Sequence, residues 1–157
     1  MNLAELILHS SLPVRELTES ESEQLKQTLL EIYKDVLAAC KKHGLTVMLG
    51  GGSCLGAVRH NGFIPWDDDL DVMMMRADYD RLPAIMQQEY GNKYICTGPN
   101  ISAHTNTPFI KLGKCGTIFT TIYDQPEAQH EIAIDVFPIE YIPDSSLLRL
   151  WHGFWLN

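Results

Sequence analysis

The strongest hydrophobic pattern in the chain lies between Thr18 and Gly44 and predicts a long amphipathic helix. Apolar residues recur there at spacings of three and four, the period of one helix face: Leu25, Leu29, Ile32, Tyr33, Val36, Leu37 and Cys40. Thr18 to Glu23 supplies cap residues and early acidic charge, and Gly44 follows three basic residues. We therefore expect a helix that begins near Thr18, ends at Gly44 and packs one face on a core.

Shorter apolar segments alternate along the rest of the chain. Strands are predicted at Thr46–Leu49, from about Asp67 to Met75, and near residues 93–97, 109–114, 117–122 and 131–137. Helices are predicted near Leu3 and Ile7, from a capping Ser53 to Val58, over residues 77–90, and from Ser145 to Trp155. Pro83 must interrupt the helix over residues 77–90 or begin its second part. Helices and strands alternate first and strands dominate later, which predicts an α/β or α+β class.

Composition narrows the choice of protein class. A chain of 157 residues with 45 % hydrophobic and 20 % charged residues predicts a single globular domain, residues 1–157. The net charge of −8 argues against binding nucleic acid, which needs basic residues to neutralise phosphates. The N-terminus has no signal-peptide pattern and no apolar run is long enough to span a membrane. The four cysteines are far apart without a C-x-x-C pair, so a reduced, cytoplasmic setting is expected.

An acidic run within apolar sequence is the main candidate for chemistry. Four carboxylates lie close together in the sequence and repel one another: Asp67, Asp68, Asp69 and Asp71. A bound divalent cation would make the electrostatic energy of this group favourable. If this segment is a strand, alternation places Asp67, Asp69 and Asp71 on one face. Oxygen ligands of this kind suit Mg²⁺ or Mn²⁺ held together with substrate phosphates. A solvated acidic turn is the alternative, but Pro65-Trp66 and Leu70-Val72 embed the run in apolar residues.

A second candidate precedes that run. Gly50-Gly51-Gly52-Ser53 follows a predicted strand, and glycines allow a backbone to approach a ligand closely. The free N–H groups of the helix that follows would form an anion site. An ordinary strand-to-helix turn is the alternative. Because aspartates follow on the next predicted strand, we expect Gly51, Gly52 and Ser53 to bind phosphate beside a metal.

Three further residues are candidates for the same site. Asp135 is a single carboxylate in the apolar run Ile132–Phe137, which indicates a capped strand end, a further metal ligand or a general base for an attacking hydroxyl. Arg59 lies between the glycines and the aspartates in sequence. Lys111 lies among apolar residues, where a wholly buried lysine would be costly. Both are candidates for phosphate contacts, and a solvated surface charge is the alternative for each.

The stretch GGSCLGAVRHNGFIPWDDDLDV, from Gly51 to Val72, closely resembles the signature of the LicD phosphocholine-transferase family. That family is related to the fukutins and belongs to the nucleotidyltransferase superfamily. Tyr79 with Arg81-Leu82, the strand that contains Lys111, and Ile134–Pro138 extend the likeness, which runs from about Leu25 to Pro138. The resemblance implies a nucleotidyltransferase-like fold, with a mixed β-sheet flanked by helices.

The resemblance also implies an activity. Members of the family transfer a phospho-alcohol, typically phosphocholine from its cytidine-diphosphate conjugate CDP-choline, to a hydroxyl of a cell-surface glycan or glycolipid such as lipopolysaccharide or teichoic acid. Asp69 and Asp71 match the superfamily's metal-binding pair, Asp67 the family's extra acidic residue and Asp135 the third strand carboxylate. The glycolipid acceptor implies peripheral membrane association. Because family members extend well past Asn157, we expect the family's C-terminal part to be missing or reduced here.

Two other functions use the same residues. A nucleotidyltransferase would move a nucleoside monophosphate to a sugar phosphate or another small molecule with the same metal aspartates. A nucleotide-binding or glycan-binding module without turnover is the alternative from a different class. The costly cluster of four aspartates argues against that module, because binding alone does not require it.

Overall fold

The computed structural model of the protein describes residues 15–102, 107–121 and 130–155, with side chains described as far as residue 150. The short helix predicted near Leu3 and Ile7 lies outside these residues. Among the described residues, no helix combines the length and the apolar character needed to cross a bilayer.

Helix α1 (Glu19–His43) confirms the long helix predicted from the spacing of apolar residues. Thr18 Oγ1 accepts a hydrogen bond from Glu21 N, and the Glu21 carboxylate accepts one from Thr18 N, so both sides of a capping box form. The helix ends at Gly44, whose φ of 67° is a left-handed conformation that glycine adopts without strain. One face of α1 is buried: Leu25, Leu29, Ile32, Val36, Ala39 and Cys40.

The described residues form five strands in one mixed sheet: β1 (Met48–Leu49), β2 (Asp71–Met75), β3 (Tyr94–Thr97), β4 (Ile110–Lys114) and β5 (Ala133–Ile139). The order across the sheet is β1-β2-β5-β4-β3. β2 and β5 are parallel, and the other neighbours are antiparallel. A mixed sheet flanked by helices confirms the predicted α/β class.

Four further α-helices and a 3-10 turn (Gly91–Lys93) complete the described fold; the helices are α2 (Gly51–His60), α3 (Arg76–Tyr79), α4 (Leu82–Tyr90) and α5 (Ser146–Trp155). The helix predicted over residues 77–90 is divided, and Pro83 begins its second part: it lies in the first turn of α4, after the break that follows α3. The left-handed Asn61, at φ 54°, ends α2.

Three predicted strands differ from the structure. The first contains only Met48–Leu49, because Thr46 N donates to the Asp78 carboxylate instead of to a neighbouring strand. The second begins at Asp71 and not at about Asp67. Residues 117–121 form no strand, because the chain turns after β4 and Thr117 Oγ1 donates to Lys114 O at 2.6 Å.

The core lies between the sheet and helices α1 and α4. Alternate strand residues are buried under these helices: Val72, Met74, Ile110, Leu112, Ile134 and Val136. Because side chains alternate between the faces of a strand, the residues between them point to the opposite face. Asp71, Lys111 and Asp135 are on that face, which therefore carries the candidate residues.

Candidate functional site

The register of the sheet aligns three charged residues across neighbouring strands. Asp71 of β2 lies directly beside Asp135 of β5, and Asp135 lies directly beside Lys111 of β4. Directly paired residues have Cβ atoms roughly 4.5–5.5 Å apart. The predicted placement of Asp135 on a strand next to the acidic run is therefore confirmed.

The first turn of α2 packs tightly against the carboxylates. A Cβ atom at Gly51 would lie 2.6 Å from Asp71 Oδ2, and one at Gly52 would lie 2.8 Å from Asp67 Oδ2. Gly51 also has a φ of +45°, which favours glycine. These two glycines therefore permit a helix N-terminus to approach the aspartates more closely than any other residue would allow.

Ser53 has a different role from the predicted helix cap. α2 begins at Gly51, two residues before Ser53, and Gly50 is its N-cap without a side-chain hydrogen bond. Glycine flexibility lets the helix start inside the glycine run. Ser53 is buried, and its Oγ accepts a hydrogen bond of 2.8 Å from Asp71 N. It therefore fixes the backbone of Asp71, and a phosphate contact by Ser53 remains a prediction.

The acidic run is less regular than predicted. Asp67 to Leu70 lie outside β2, in a segment that follows a turn with Asp67 N bonded to Ile64 O at 3.0 Å. Leu70 is buried as expected, but Trp66 is 83 % exposed and does not embed the run in the core. Strand alternation therefore explains the direction of Asp71 alone.

The carboxylates nonetheless lie close enough for their charges to interact. Partial burial, together with the charges of Asp71, Asp67, Asp68 and Asp135, raises the pKa of Asp69 to about 6, although part of its side chain is exposed to solvent. Burial, followed by the charges of Asp135 and Asp67, also raises the pKa of Asp71. Asp67, Asp69, Asp71 and Asp135 thus form one electrostatic cluster.

The two predicted phosphate-binding cations lie in different places. Lys111 Nζ is 2.9 Å from Oδ1 and 3.2 Å from Oδ2 of Asp135, within the cluster. Burial raises the pKa of Asp135, and the hydrogen bond from Lys111 opposes that effect. Arg59 is exposed in the last turn of α2, roughly 12 Å along the helix from Gly51. The structure brings Lys111 to the carboxylates and leaves Arg59 at the far end of α2.

The carboxylates supply the donor atoms of a metal site without its closed geometry. Among the described residues, no three Asp, Glu, His or Cys side chains are already positioned to enclose an ion. Asp67 Oδ2 is nevertheless buried without a hydrogen-bond partner, and the oxygens of a carboxylate cluster suit a hard divalent cation. The oxygen atoms of this cluster therefore have the chemistry that Mg²⁺ or Mn²⁺ requires. To enclose an ion, the side chains have to turn towards one another. Binding of Mg²⁺ or Mn²⁺ remains a prediction.

Sequence reasoning misses two features of this face. Thr97 of β3 lies directly beside Lys111 and extends the row of polar residues to a fourth strand. Phe109 and Phe137 contact each other with ring centroids 4.4 Å apart, and Met73 lies beside Phe137. The local sequence of these residues has no signal for such a site, because only the pairing of distant strands brings them to the carboxylates.

Residues 44–151 match the family model described as "LicD/FKTN/FKRP, nucleotidyltransferase domain". The chain is also similar to "Lipopolysaccharide cholinephosphotransferase LicD" of Haemophilus influenzae, with 32 % identity over 132 residues. That alignment covers 83 % of this chain and 48 % of the Haemophilus protein, so the chain spans about half the length of that relative.

Two shorter matches are to uncharacterized proteins of Rickettsia. One, from Rickettsia typhi, is 37 % identical over 67 residues, which are 43 % of this chain and 22 % of that protein. The other, from Rickettsia prowazekii, is 39 % identical over 61 residues, 39 % of this chain and 23 % of that protein. Their names carry no information on function.

Proposed function

Because the chain belongs to the LicD/FKTN/FKRP family of nucleotidyltransferase domains, we propose that it is a metal-dependent phosphotransferase. It moves a phospho-alcohol, with phosphocholine as the first candidate, from a cytidine-diphosphate-linked donor to a hydroxyl of a glycan. The observation that carries this proposal is the meeting of the α2 N-terminus with the carboxylates of Asp67 and Asp71, beside Asp135.

Each part of the cluster has a role in this proposal. Asp67, Asp69, Asp71 and Asp135 hold Mg²⁺ or Mn²⁺, which when bound neutralises the donor's diphosphate. The free N–H groups at Gly51, Gly52 and Ser53 bind donor phosphate oxygens, as helix N-termini do for anions. Lys111 adds positive charge to the same phosphates, and Arg59 contributes only if the donor reaches the end of α2.

Asp135 also serves as the base for the acceptor. The acceptor oxygen forms a bond to the phosphorus of the phospho-alcohol, and the bond from that phosphorus to the departing nucleoside monophosphate breaks. The hydroxyl proton passes to Asp135, whose burial raises its pKa and so makes the carboxylate a stronger base. Positioning of both substrates contributes the remainder of the catalysis.

The substrates are proposed from the Haemophilus relative, whose name specifies lipopolysaccharide and choline phosphate. We propose CDP-choline as donor and a glycan or glycolipid as acceptor, with the protein at the membrane surface only through that acceptor. The four cysteines are all free, which supports a reducing compartment such as the cytoplasm.

Nucleotidyl transfer is the second candidate, because the family model is described as a nucleotidyltransferase domain. The same carboxylates would then transfer the nucleoside monophosphate itself. The two reactions release different products from their donors. Nucleoside monophosphate indicates phospho-alcohol transfer, whereas pyrophosphate from a nucleoside triphosphate indicates nucleotidyl transfer.

The test is product analysis with purified protein, Mg²⁺, CDP-choline and lipopolysaccharide as acceptor. We expect cytidine monophosphate to appear together with choline phosphate on the acceptor. Asp69→Asn and Asp71→Asn should abolish turnover and the rise in Tm that Mg²⁺ causes. Asp68→Asn is the matched control, because Asp68 lies in the same run but is not one of the proposed metal ligands; it should retain most of the turnover and of the rise in Tm.

Three outcomes decide between the candidates. Pyrophosphate release from a nucleoside triphosphate would favour the second candidate. Tight nucleotide binding without any product would favour a binding module without turnover. Equal losses in Asp68→Asn and Asp69→Asn would contradict the specific metal role of Asp69.

A further inference from the structure

Lys111 and Asp135 form an ion pair at the position where a bound cation would need the carboxylate. Lys111 Nζ lies within 3.2 Å of both Asp135 oxygens, and the two side chains are 39 % and 18 % exposed. Asp71 lies next to Asp135 across β2 and β5. The lysine ammonium therefore already supplies positive charge to the least exposed part of the cluster.

A divalent cation and Lys111 compete for the carboxylate of Asp135. Metal ligation by a carboxylate oxygen takes place at roughly 2.0–2.6 Å for Mg²⁺ or Ca²⁺, inside the hydrogen-bond distance to an ammonium group. Both Asp135 oxygens are engaged by Lys111, and two cations on one carboxylate repel each other. Loading of the ion at Asp135 therefore weakens the ion pair and favours release of at least one oxygen by Lys111.

The structure allows such a release. Lysine is a compact charge on a flexible four-carbon stem, and Lys111 is partly in solvent, so it can leave the carboxylate without being buried elsewhere. Thr97 is its neighbour on the other side and carries no charge that would hold it. A cation at Asp71 and Asp135 would also repel the ammonium group away from the carboxylates.

We propose that Lys111 is an internal counter-ion of this site, one that exchanges with the metal. It binds Asp135 while no metal is present and gives the carboxylate up to the divalent cation. Its released ammonium group then binds the donor's phosphates. This inference rests on the proposed metal-dependent function, and it adds that metal loading and donor binding are linked through one lysine.

The test measures Mn²⁺ affinity from the electron paramagnetic resonance signal of the free ion. Lys111→Met removes the competing charge and should bind Mn²⁺ about tenfold more tightly, as expected if the carboxylate is free about a tenth of the time in the wild type. Lys111→Arg should bind Mn²⁺ more weakly, because a guanidinium group holds a carboxylate through two parallel hydrogen bonds. The two substitutions thus shift the affinity in opposite directions.

Lys114→Met is the matched control. Lys114 lies on the same strand and forms a comparable ion pair, 2.6 Å from Glu31 of α1, on the helix-covered face. Its loss should lower Tm without changing Mn²⁺ affinity. With Mn²⁺ saturating, Lys111→Met should bind cytidine diphosphate more weakly than the wild type, whereas Lys114→Met should not. If Lys111→Met does not fold, Lys111→Arg still gives the sign of the effect.

The outcomes separate the inference from the proposed function. If the wild type binds Mn²⁺ and neither Lys111 variant changes the affinity, or Lys111→Met binds it less tightly, Lys111 is not a competing counter-ion. If no variant and no wild-type protein binds Mn²⁺, the metal-dependent function itself is wrong. Mn²⁺ binding by Lys111→Met alone would contradict the exchange, because the wild-type lysine would then not give the carboxylate up to the metal.

Discussion

At the scale of single residues, the site is a group of negatively charged carboxylates that folding brings close together. Asp69 has the clearest departure from ordinary behaviour, because burial and four neighbouring carboxylates raise its pKa from 3.8 to about 6. Only Asp135 has an ion pair with a lysine or arginine among the described residues of the cluster. In the absence of metal, the folded state therefore carries repulsion at Asp69 that the unfolded chain does not have.

The first prediction concerns the pH dependence of this repulsion in metal-free protein. The folded pKa of Asp69 is above its ordinary value, so the folded state takes up a proton first, and acidification from about pH 7 towards pH 4 stabilises it through this group. Asp69→Asn does not gain this stability on acidification, because its amide takes up no proton in this range. Urea unfolding in the presence of a chelator should show the variant equal to or more stable than wild type near neutrality.

The stability difference between the two proteins should then change in favour of the wild type as the pH falls. Comparing the two proteins at each pH removes the contribution of the other carboxylates. A difference that is constant with pH, or that moves in favour of Asp69→Asn on acidification, would contradict the raised pKa.

The identities of the clustered acids are predictable from the sequence, because four aspartates in five positions have few uses on an ordinary surface. The pairing of Lys111 with Asp135 is not predictable in this way. These residues are separated by 24 positions and meet only through the antiparallel register of β4 and β5. A local pattern specifies the face of a strand, whereas register depends on the whole sheet.

At the scale of elements, the start of α2 determines how closely the backbone approaches the acids. The sequence predicts a glycine loop before a helix capped by Ser53. The structure instead places Gly51 and Gly52 inside the first turn, where their missing side chains leave room for Asp71 and Asp67. Helix propensity cannot predict this start, because contacts between separate elements decide where a glycine run becomes helical.

The second prediction is that Gly51→Ala destabilises the protein by about 1–3 kcal/mol, because its φ is positive and the added Cβ would lie 2.6 Å from Asp71 Oδ2. It should also weaken donor binding by displacing that carboxylate. Gly62→Ala is the control, since a Cβ there meets nothing within 4 Å. Urea denaturation measures both, and equal stability of the two variants would show that α2 does not pack against Asp71.

At the scale of the whole molecule, the core under α1 and α4 buries Cys40 and Cys96 more deeply than the other two cysteines. Burial raises the pKa of Cys40 to about 11 and that of Cys96 to about 12, while Cys54 and Cys115 are exposed. The thiolate is the reactive form of cysteine. Thiol reactivity therefore reports on the integrity of the whole fold.

The third prediction is that iodoacetamide at about pH 8 modifies Cys54 and Cys115 rapidly and Cys40 and Cys96 only after denaturation, because the thiolate fraction falls tenfold for each unit by which the pKa rises. Peptide mass spectrometry of native and urea-treated samples identifies the modified sites. Rapid labelling of Cys40 in the native protein would contradict the packing of α1 on the sheet.

The position of β5 has a consequence for how the protein is made. β5 is the last strand in sequence among the described residues, yet it lies between β2 and β4 in the middle of the sheet. Until the ribosome has released residue 139, β2 and β4 each expose an unpaired edge, a surface prone to pairing with other chains. Asp71 and Lys111 are separated by the width of the absent strand in that nascent chain. Synthesis of β5 therefore closes the sheet and assembles the charged row in one event, so a chain that stalls before β5 has neither a closed sheet nor a charged row.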